Sequence, residues 1–273
     1  MNFIQAIILG IVQGLTEFLP ISSSAHLVIV PYLLNWTLDP NKAFVFDVLV
    51  QLGTLVAVII YFWKDLVAIF RSVLQGLKEK APFKDTHSRL GWYIILGTIP
   101  AGLAGILLKD KVKAAFSSPV ITAVLLSGTA ILLVLAELLS KKEKGLKKLT
   151  WQDSLLVGVF QALAIFPGIS RSGATISGGL FKGYTREAAA RFSFLLSIPI
   201  MLAAGLLSVL DLVKAEFFLD FLPVLILGFV IAGVIGYLSI RWLLNYLKKN
   251  SFYGFAVYCV VISAVTLIVS VLR

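Results

Sequence analysis

Charge is scarce in this sequence. Only 14% of its 273 residues are Asp, Glu, Lys or Arg and 59% are hydrophobic, where soluble domains carry about 25% charged residues. A water-soluble globular chain is excluded, and most of the polypeptide must lie in lipid. Cysteine is nearly absent: Cys259 stands alone in an apolar run, so no intramolecular disulfide can form, and it reads as a small core residue. The first twelve residues carry no charge, whereas a signal peptide opens with a basic region and ends in a cleavage site, so this end is expected to be retained in the fold. Acidic residues number 14 against 24 Lys and Arg, a net charge of +10. In a soluble protein that excess would suggest nucleic acid, but here the basic residues cluster in loops, where the positive-inside rule accounts for them. No nucleic acid is implied.

What is present is a set of long apolar runs. Residues 48–62, 92–108, 119–139, 192–210, 222–240 and 252–272 are long enough to cross a hydrocarbon core of about 30 Å. They predict six membrane spans in a single domain over 1–273. Laid over itself at an offset of 148, the chain pairs Gln13 with Gln161, Phe18 with Phe166, Ser22 with Ser170 and Ser24 with Ser172. At an offset of 131, ILGTIPAGLAGIL from Ile95 overlays ILGFVIAGVIGYL from Ile226. Two repeats, 1–140 and 151–273, follow. Each opens with segments too short or too interrupted to span: 2–19 and 25–36 around Pro20, then 154–166 and 173–183 around Pro167. A twelve-residue helix rises only about 18 Å. The prediction is therefore an all-α integral membrane protein with six transmembrane helices plus two re-entrant helical hairpins, in an inverted repeat whose two tips meet near the midplane. Seventeen Lys and Arg fall in 64–91, 140–153, 182–191 and 241–251, against Lys42, Lys109, Lys111, Lys113, Lys214 and Arg273 elsewhere outside the spans. That asymmetry puts the seventeen in the cytoplasm and the N-terminus outside.

The tips carry the chemistry. The first places Gln13, Glu17, Ser22, Ser23, Ser24 and His26 at membrane depth, where ionisable groups are costly and usually functional. Gln13 and Glu17 are four apart, on one helix face, and both offer oxygen to a hard cation such as Mg²⁺ or Ca²⁺; they could instead bind helices together. At least one of the serines is expected to cap a helix. His26, three residues after Ser23, is placed to act as its base, or is a satisfied buried histidine. The second tip supplies Ser170, Arg171, Ser172 and Thr175 at a helix start, an anion site in kind. Arg171 suits phosphate because a planar guanidinium makes two parallel hydrogen bonds; a salt bridge to Glu17 is the plainer alternative. Asp47 and Glu137, near span ends, are expected to be hydrated, as is His87 in its basic loop. Trp36, Trp63, Trp92, Trp151 and Trp242 read as an interfacial belt.

QGLTE, PISSSAH and PGISRSGAT resemble the paired signatures of the undecaprenyl-diphosphate phosphatases of the bacitracin-resistance type, (E/Q)xxxE with PxSSxxH and PGxSRSGxT, in the family's order and across the whole chain. The resemblance implies a multi-pass protein of the bacterial plasma membrane that hydrolyses a polyprenyl diphosphate lipid to the monophosphate, at a site open to the outer face, recycling the carrier of cell-wall synthesis. It implicates Gln13, Glu17, Ser23, His26, Ser170, Arg171 and Thr175, and is compatible with a homodimer. Gln13 stands where some members have Glu, which leaves one carboxylate for the metal. An acid-phosphatase-like lipid phosphatase is excluded, because the histidine it needs after Ser170-Arg171 is missing. The expected chemistry is phosphoryl transfer, with Ser23 attacking and His26 as base, or with His26 itself as nucleophile. The rival from another class is a polyprenyl-phosphate transporter or flippase, since inverted repeats with broken helices are the usual build of carriers.

Overall fold

The computed structural model describes residues 1–108, 111–112, 115, 118–212 and 218–273; Lys109, Lys113 and Lys214 lie outside the described residues. The protein is all-α. Among the described residues six helices are long and apolar enough to cross a membrane: α3 (Pro40–Tyr61), α5 (Thr86–Leu107), α6 (Pro119–Leu139), α9 (Arg186–Leu212), α10 (Phe218–Tyr246) and α11 (Tyr253–Leu272). Four are shorter and stand where breaks were expected: α1 (Phe3–Thr16), α2 (Ser23–Leu33), α7 (Trp151–Leu163) and α8 (Arg171–Phe181). Their starts are written locally. Asn2 and Gln5 form a capping box on α1, Asp39 caps α3 ahead of Pro40, Ser118 caps α6 ahead of Pro119, and Thr150 caps α7.

One helix was not expected. Residues 64–91 read as a basic loop, yet Trp63–Lys78 forms α4. Its apolar residues recur at helical spacing on one face, and Ile69 and Val73 pack against Gly91 of α5. Lys64, Arg71 and Lys78 break the apolar run, so a search for continuous hydrophobicity passes over it.

The short helices reach the bundle core by close backbone approach. Gly10 of α1 faces the Gly228 carbonyl of α10, and a Cβ there would stand 3.0 Å from that oxygen. Gly158 of α7 faces the Gly97 carbonyl of α5 in the same way, with less room still. α1 thus lies on α10 and α7 on α5, through small residues as membrane helices commonly do.

The end that carries the basic loops is tied by buried carboxylates. Glu137, expected to be hydrated, is buried instead. It accepts two hydrogen bonds from Arg186 at 2.7 Å each, pairs with Lys142 at 2.8 Å and accepts from the Phe252 N–H at 2.9 Å. One side chain thereby joins α6 to the start of α9 and of α11. Asp153 on α7 likewise accepts from the Tyr184 hydroxyl at 2.7 Å and pairs with Lys182 at 3.2 Å.

Glu137→Gln strands two cations. We expect it to cost about 2–3 kcal/mol, below the roughly 3–5 kcal/mol for a fully buried pair, because Arg186 and Lys142 stay partly in solvent. A thermal midpoint in detergent equal to that of the wild type would remove this joint from the stability argument.

Candidate functional site

The two broken segments meet. After α1 the chain turns through Glu17 to Pro20, and Ser22 adopts a left-handed conformation (φ 68°) as the N-cap of α2. A non-glycine residue there is strained, and such strain persists only where surrounding contacts hold it. Here His26 holds it, one turn on. Its Nδ1–H donates to the Ser22 carbonyl at 2.8 Å, and the Ser22 hydroxyl accepts from the Ala25 N–H at 3.4 Å and lies 3.2 Å from that of Ser24.

The second tip is shaped by Gly168 (φ 104°), whose missing side chain leaves room for the Thr122 carbonyl and Leu125 of α6. Thr129 of α6 pins it, accepting from the Ser170 N–H at 2.8 Å and donating to the Gly168 carbonyl at 2.9 Å. Ser170 then caps α8, accepting from the Gly173 N–H at 3.0 Å. The Ser172 hydroxyl, 3.1 Å from that of Ser170, donates to the Leu19 carbonyl at 2.9 Å and so latches the second tip to the first. Thr175 donates to the Arg171 carbonyl at 2.7 Å and stands 2.6 Å from the Ser193 hydroxyl of α9.

At the junction lies Glu17, buried and surrounded by donors. Gln13 donates to its Oε2 at 2.9 Å, the Ser23 hydroxyl donates to the same oxygen at 2.6 Å, and Arg171 Nη2 donates to Oε1 at 3.1 Å. Two buried atoms here have no partner: Arg171 Nη1 and Gln13 Oε1. One is a spare cationic donor and the other a spare acceptor. The helices α2 and α8 both begin at this point, so their first-turn N–H groups, which a helix leaves without internal partners, add positive potential.

The expected pairing of Ser23 with His26 is not what the structure holds. Because a carbonyl can only accept, His26 Nδ1 carries its proton toward Ser22. Its Nε2, 2.8 Å from the Tyr258 hydroxyl, is then the acceptor in the neutral ring. The Tyr258 ring also stacks on the imidazole, with centroids 5.6 Å apart and planes at 11°. Both nitrogens are engaged, and Ser23 has Glu17 as its acceptor. Spacing on α2 put His26 and Ser23 on one face, but Tyr258, 232 positions away, decides where the ring points. The hydroxyls of Ser22, Ser24, Ser170, Ser172 and Thr175 all lie at the tips and serve the turns and their junction. The alternative of a Glu17–Arg171 salt bridge is present at 3.1 Å.

Sequence reading missed Tyr258, Thr54, Thr129 and Ser193. Thr54 of α3 stands 3.5 Å from Gln13 Nε2. Each is a hydroxyl inside an apolar span, and that signal was available to a scan for polar residues within the runs. Among the described residues no three His, Cys, Asp or Glu side chains cluster, so any cation at the tips would have a single protein carboxylate, Glu17, and would need further oxygens from water or a ligand.

Comparison with known proteins places the chain in a family. A family model described as bacitracin resistance protein BacA matches residues 6–265. A protein of Chloroherpeton thalassium named undecaprenyl-diphosphatase is 48% identical over 269 residues, covering 94% of this chain and 93% of the relative. Relatives of the same name from Thermomicrobium roseum and Nitrosococcus oceani are 45% and 46% identical, covering 98% and 97% of both chains. With the match running from α1 to α11 and through both tips, the chain belongs to the bacitracin resistance protein BacA family.

Proposed function

We propose that this membrane protein hydrolyses undecaprenyl diphosphate to undecaprenyl phosphate and inorganic phosphate, and so returns a lipid carrier to cell-wall synthesis. The observation that carries the reading is the Glu17 junction: a hydroxyl donating to a buried carboxylate at 2.6 Å, beside a guanidinium with an unpaired N–H. The shared name of relatives covering nearly the whole chain supplies the substrate.

Arg171 and the first-turn N–H groups of α2 and α8 hold the equatorial oxygens of the terminal phosphate. Glu17 takes the Ser23 proton as Ser23 Oγ bonds to the terminal phosphorus, and the anhydride P–O bond breaks with the lipid monophosphate leaving. Glu17 passes that proton to the departing lipid phosphate or to solvent and serves again as base for the water that attacks the phosphoseryl phosphorus. As the P–Oγ bond breaks it returns the water's proton to Ser23 Oγ, releasing inorganic phosphate. His26 is a positioning residue in this scheme, fixing the strained Ser22 turn that presents Ser23. Gln13 Oε1, a buried acceptor without a partner, and the Glu17 carboxylate fit a hard divalent cation, Mg²⁺ or Ca²⁺. Bound there, it would neutralise charge on the diphosphate oxygens. A transporter needs the broken helices but not a hydroxyl on a carboxylate beside a spare guanidinium donor, so the site favours hydrolysis.

The architecture goes with this reading. We take α1 with α2, and α7 with α8, as re-entrant hairpins within two inverted repeats, 1–140 and 151–273. Gly10 and Gly158 are equivalent at the offset of 148, and Gly97 and Gly228 at 131. The contacts Gly10 to Gly228 and Gly158 to Gly97 are therefore one contact made twice. The basic asymmetry supports an N-terminus on the outer face of the plasma membrane, and the family resemblance supports a site that opens on that face.

Three measurements test these points. Purified protein in detergent should release phosphate from the polyprenyl diphosphate. Ser23→Ala should lower turnover on the order of 10³-fold and Arg171→Lys on the order of 10²-fold, the latter because a point charge replaces a planar fork. Phosphate release by Ser23→Ala at the wild-type rate would exclude Ser23 as nucleophile. Gln13→Glu should lower the Mg²⁺ or Ca²⁺ needed for half-maximal activity. Glu17→Gln, which also removes the base, should cut the maximal rate and raise the metal needed for the activity that remains, and a metal dependence unmoved by either exchange would withdraw both ligands. Cysteines placed by Lys80→Cys or Gly145→Cys should resist an impermeant thiol reagent in intact cells, and labelling of either would invert the orientation.

A further inference from the structure

A cavity of about 740 Å³ opens at the basic end of the bundle, among the C-terminal ends of α3 and α10 and the start of α9. None of the residues at the two tips lines it. Tyr61, on its wall, lies seven residues beyond Thr54 on α3, about 10 Å along the axis. The cationic lining is Arg191, Arg241 and Lys248, with Glu187 the one carboxylate. Arg191 is already balanced: its Nη2 donates to both oxygens of Asp65 at 3.2 Å, and its guanidinium stands over the Phe62 ring at 5.3 Å. Arg241 and Lys248 have no side-chain hydrogen bond or ion pair among the described residues. They flank Trp242, which is held in a stack on Tyr246 with centroids 5.0 Å apart and planes at 21°.

We propose that this cavity binds the phosphodiester headgroup of an anionic phospholipid from the surrounding leaflet, separately from the substrate site. Three features point there. The two unpaired cations set against Glu187 leave a single positive charge, which matches a phosphodiester; a phosphomonoester, closer to two negative charges, would meet the carboxylate uncompensated. Trp242 and Tyr61 stand on the rim, where aromatic rings sit at headgroup level. Below the cavity, Leu238, Val234 and Val230 are exposed at four-residue intervals down α10, with Ile60 and Val56 exposed on α3. The α10 stripe, which starts at the lining residue Leu238, offers an acyl chain an apolar path away from the cavity, which a soluble anion would not use. Basic pockets between transmembrane helices at a cytoplasmic surface bind such headgroups in general.

The test is native mass spectrometry of the intact protein titrated in detergent with phosphatidylglycerol, phosphatidylcholine or a polyprenyl monophosphate. The wild type should retain phosphatidylglycerol in preference to the other two. Arg241→Gln with Lys248→Gln should weaken that retention about 30-fold, the equivalent of about 1 kcal/mol for each basic residue. Glu187→Gln should tighten it, an effect that a misfolded variant cannot imitate. Lys78→Gln with Lys80→Gln, basic residues outside the cavity, should leave it unchanged. The proposal is overturned if phosphatidylcholine is held as well as phosphatidylglycerol, if the polyprenyl monophosphate is preferred, or if the double variant in the cavity behaves like the wild type or like the control pair.

Discussion

A buried carboxylate has to be satisfied, and most of this architecture can be traced to how Glu17 is. Isolated in an apolar bundle, its charge would be far too costly to keep. Gln13 and Ser23 come from its own half of the chain, but neither brings a positive charge. That charge comes from Arg171 in the other half, at 3.1 Å. The two broken segments are thus compelled to share one location, with the Ser172 bond to the Leu19 carbonyl closing the joint from the backbone side. A buried pair of this kind adds little net stability over an apolar filling. Its retention is better understood through what it presents, a hydroxyl on a carboxylate and a guanidinium with an unused donor.

Bringing the tips together requires short helices to lie deep in the bundle, and glycine makes that approach feasible. At Gly10 against Gly228 and at Gly158 against Gly97, backbones are too close for a side chain. Dispersion across such contacts replaces the hydrophobic driving force that lipid cannot supply between helices. The two contacts, α1 on α10 and α7 on α5, bring the starts of α2 and α8 to one point.

The two regions of the molecule solve their electrostatics differently. At the tips a few polar and ionisable groups are enclosed, and Arg171 Nη1 and Gln13 Oε1 stay unsatisfied. At the basic end the groups are numerous, and buried carboxylates such as Glu137 and Asp153 are saturated with partners. Saturation fastens helices. Unsatisfied donors and acceptors await a ligand.

The sequence by itself determined the six spans, the four short helices and the residues at the tips, because each rests on local quantities: run length, charge density, and Pro, Gly or Ser at a break. It left α4 unseen, since Lys64, Arg71 and Lys78 interrupt the apolar run whose spacing only a helical period reveals. It also named Ser23, Glu17, His26 and Arg171 and offered Ser23 with His26, or Arg171 with Glu17, as pairs, without saying which of them form. That was decided by the tertiary structure. Ser23 and His26 share a face of α2, yet the imidazole is drawn to the Ser22 carbonyl and to Tyr258 on the last helix, while Glu17 reaches Ser23 across the turn. Spacing along a helix limits which side chains are neighbours. Which of them exchange a proton depends on ring and carboxylate orientations set by partners as far as 232 residues away in the chain.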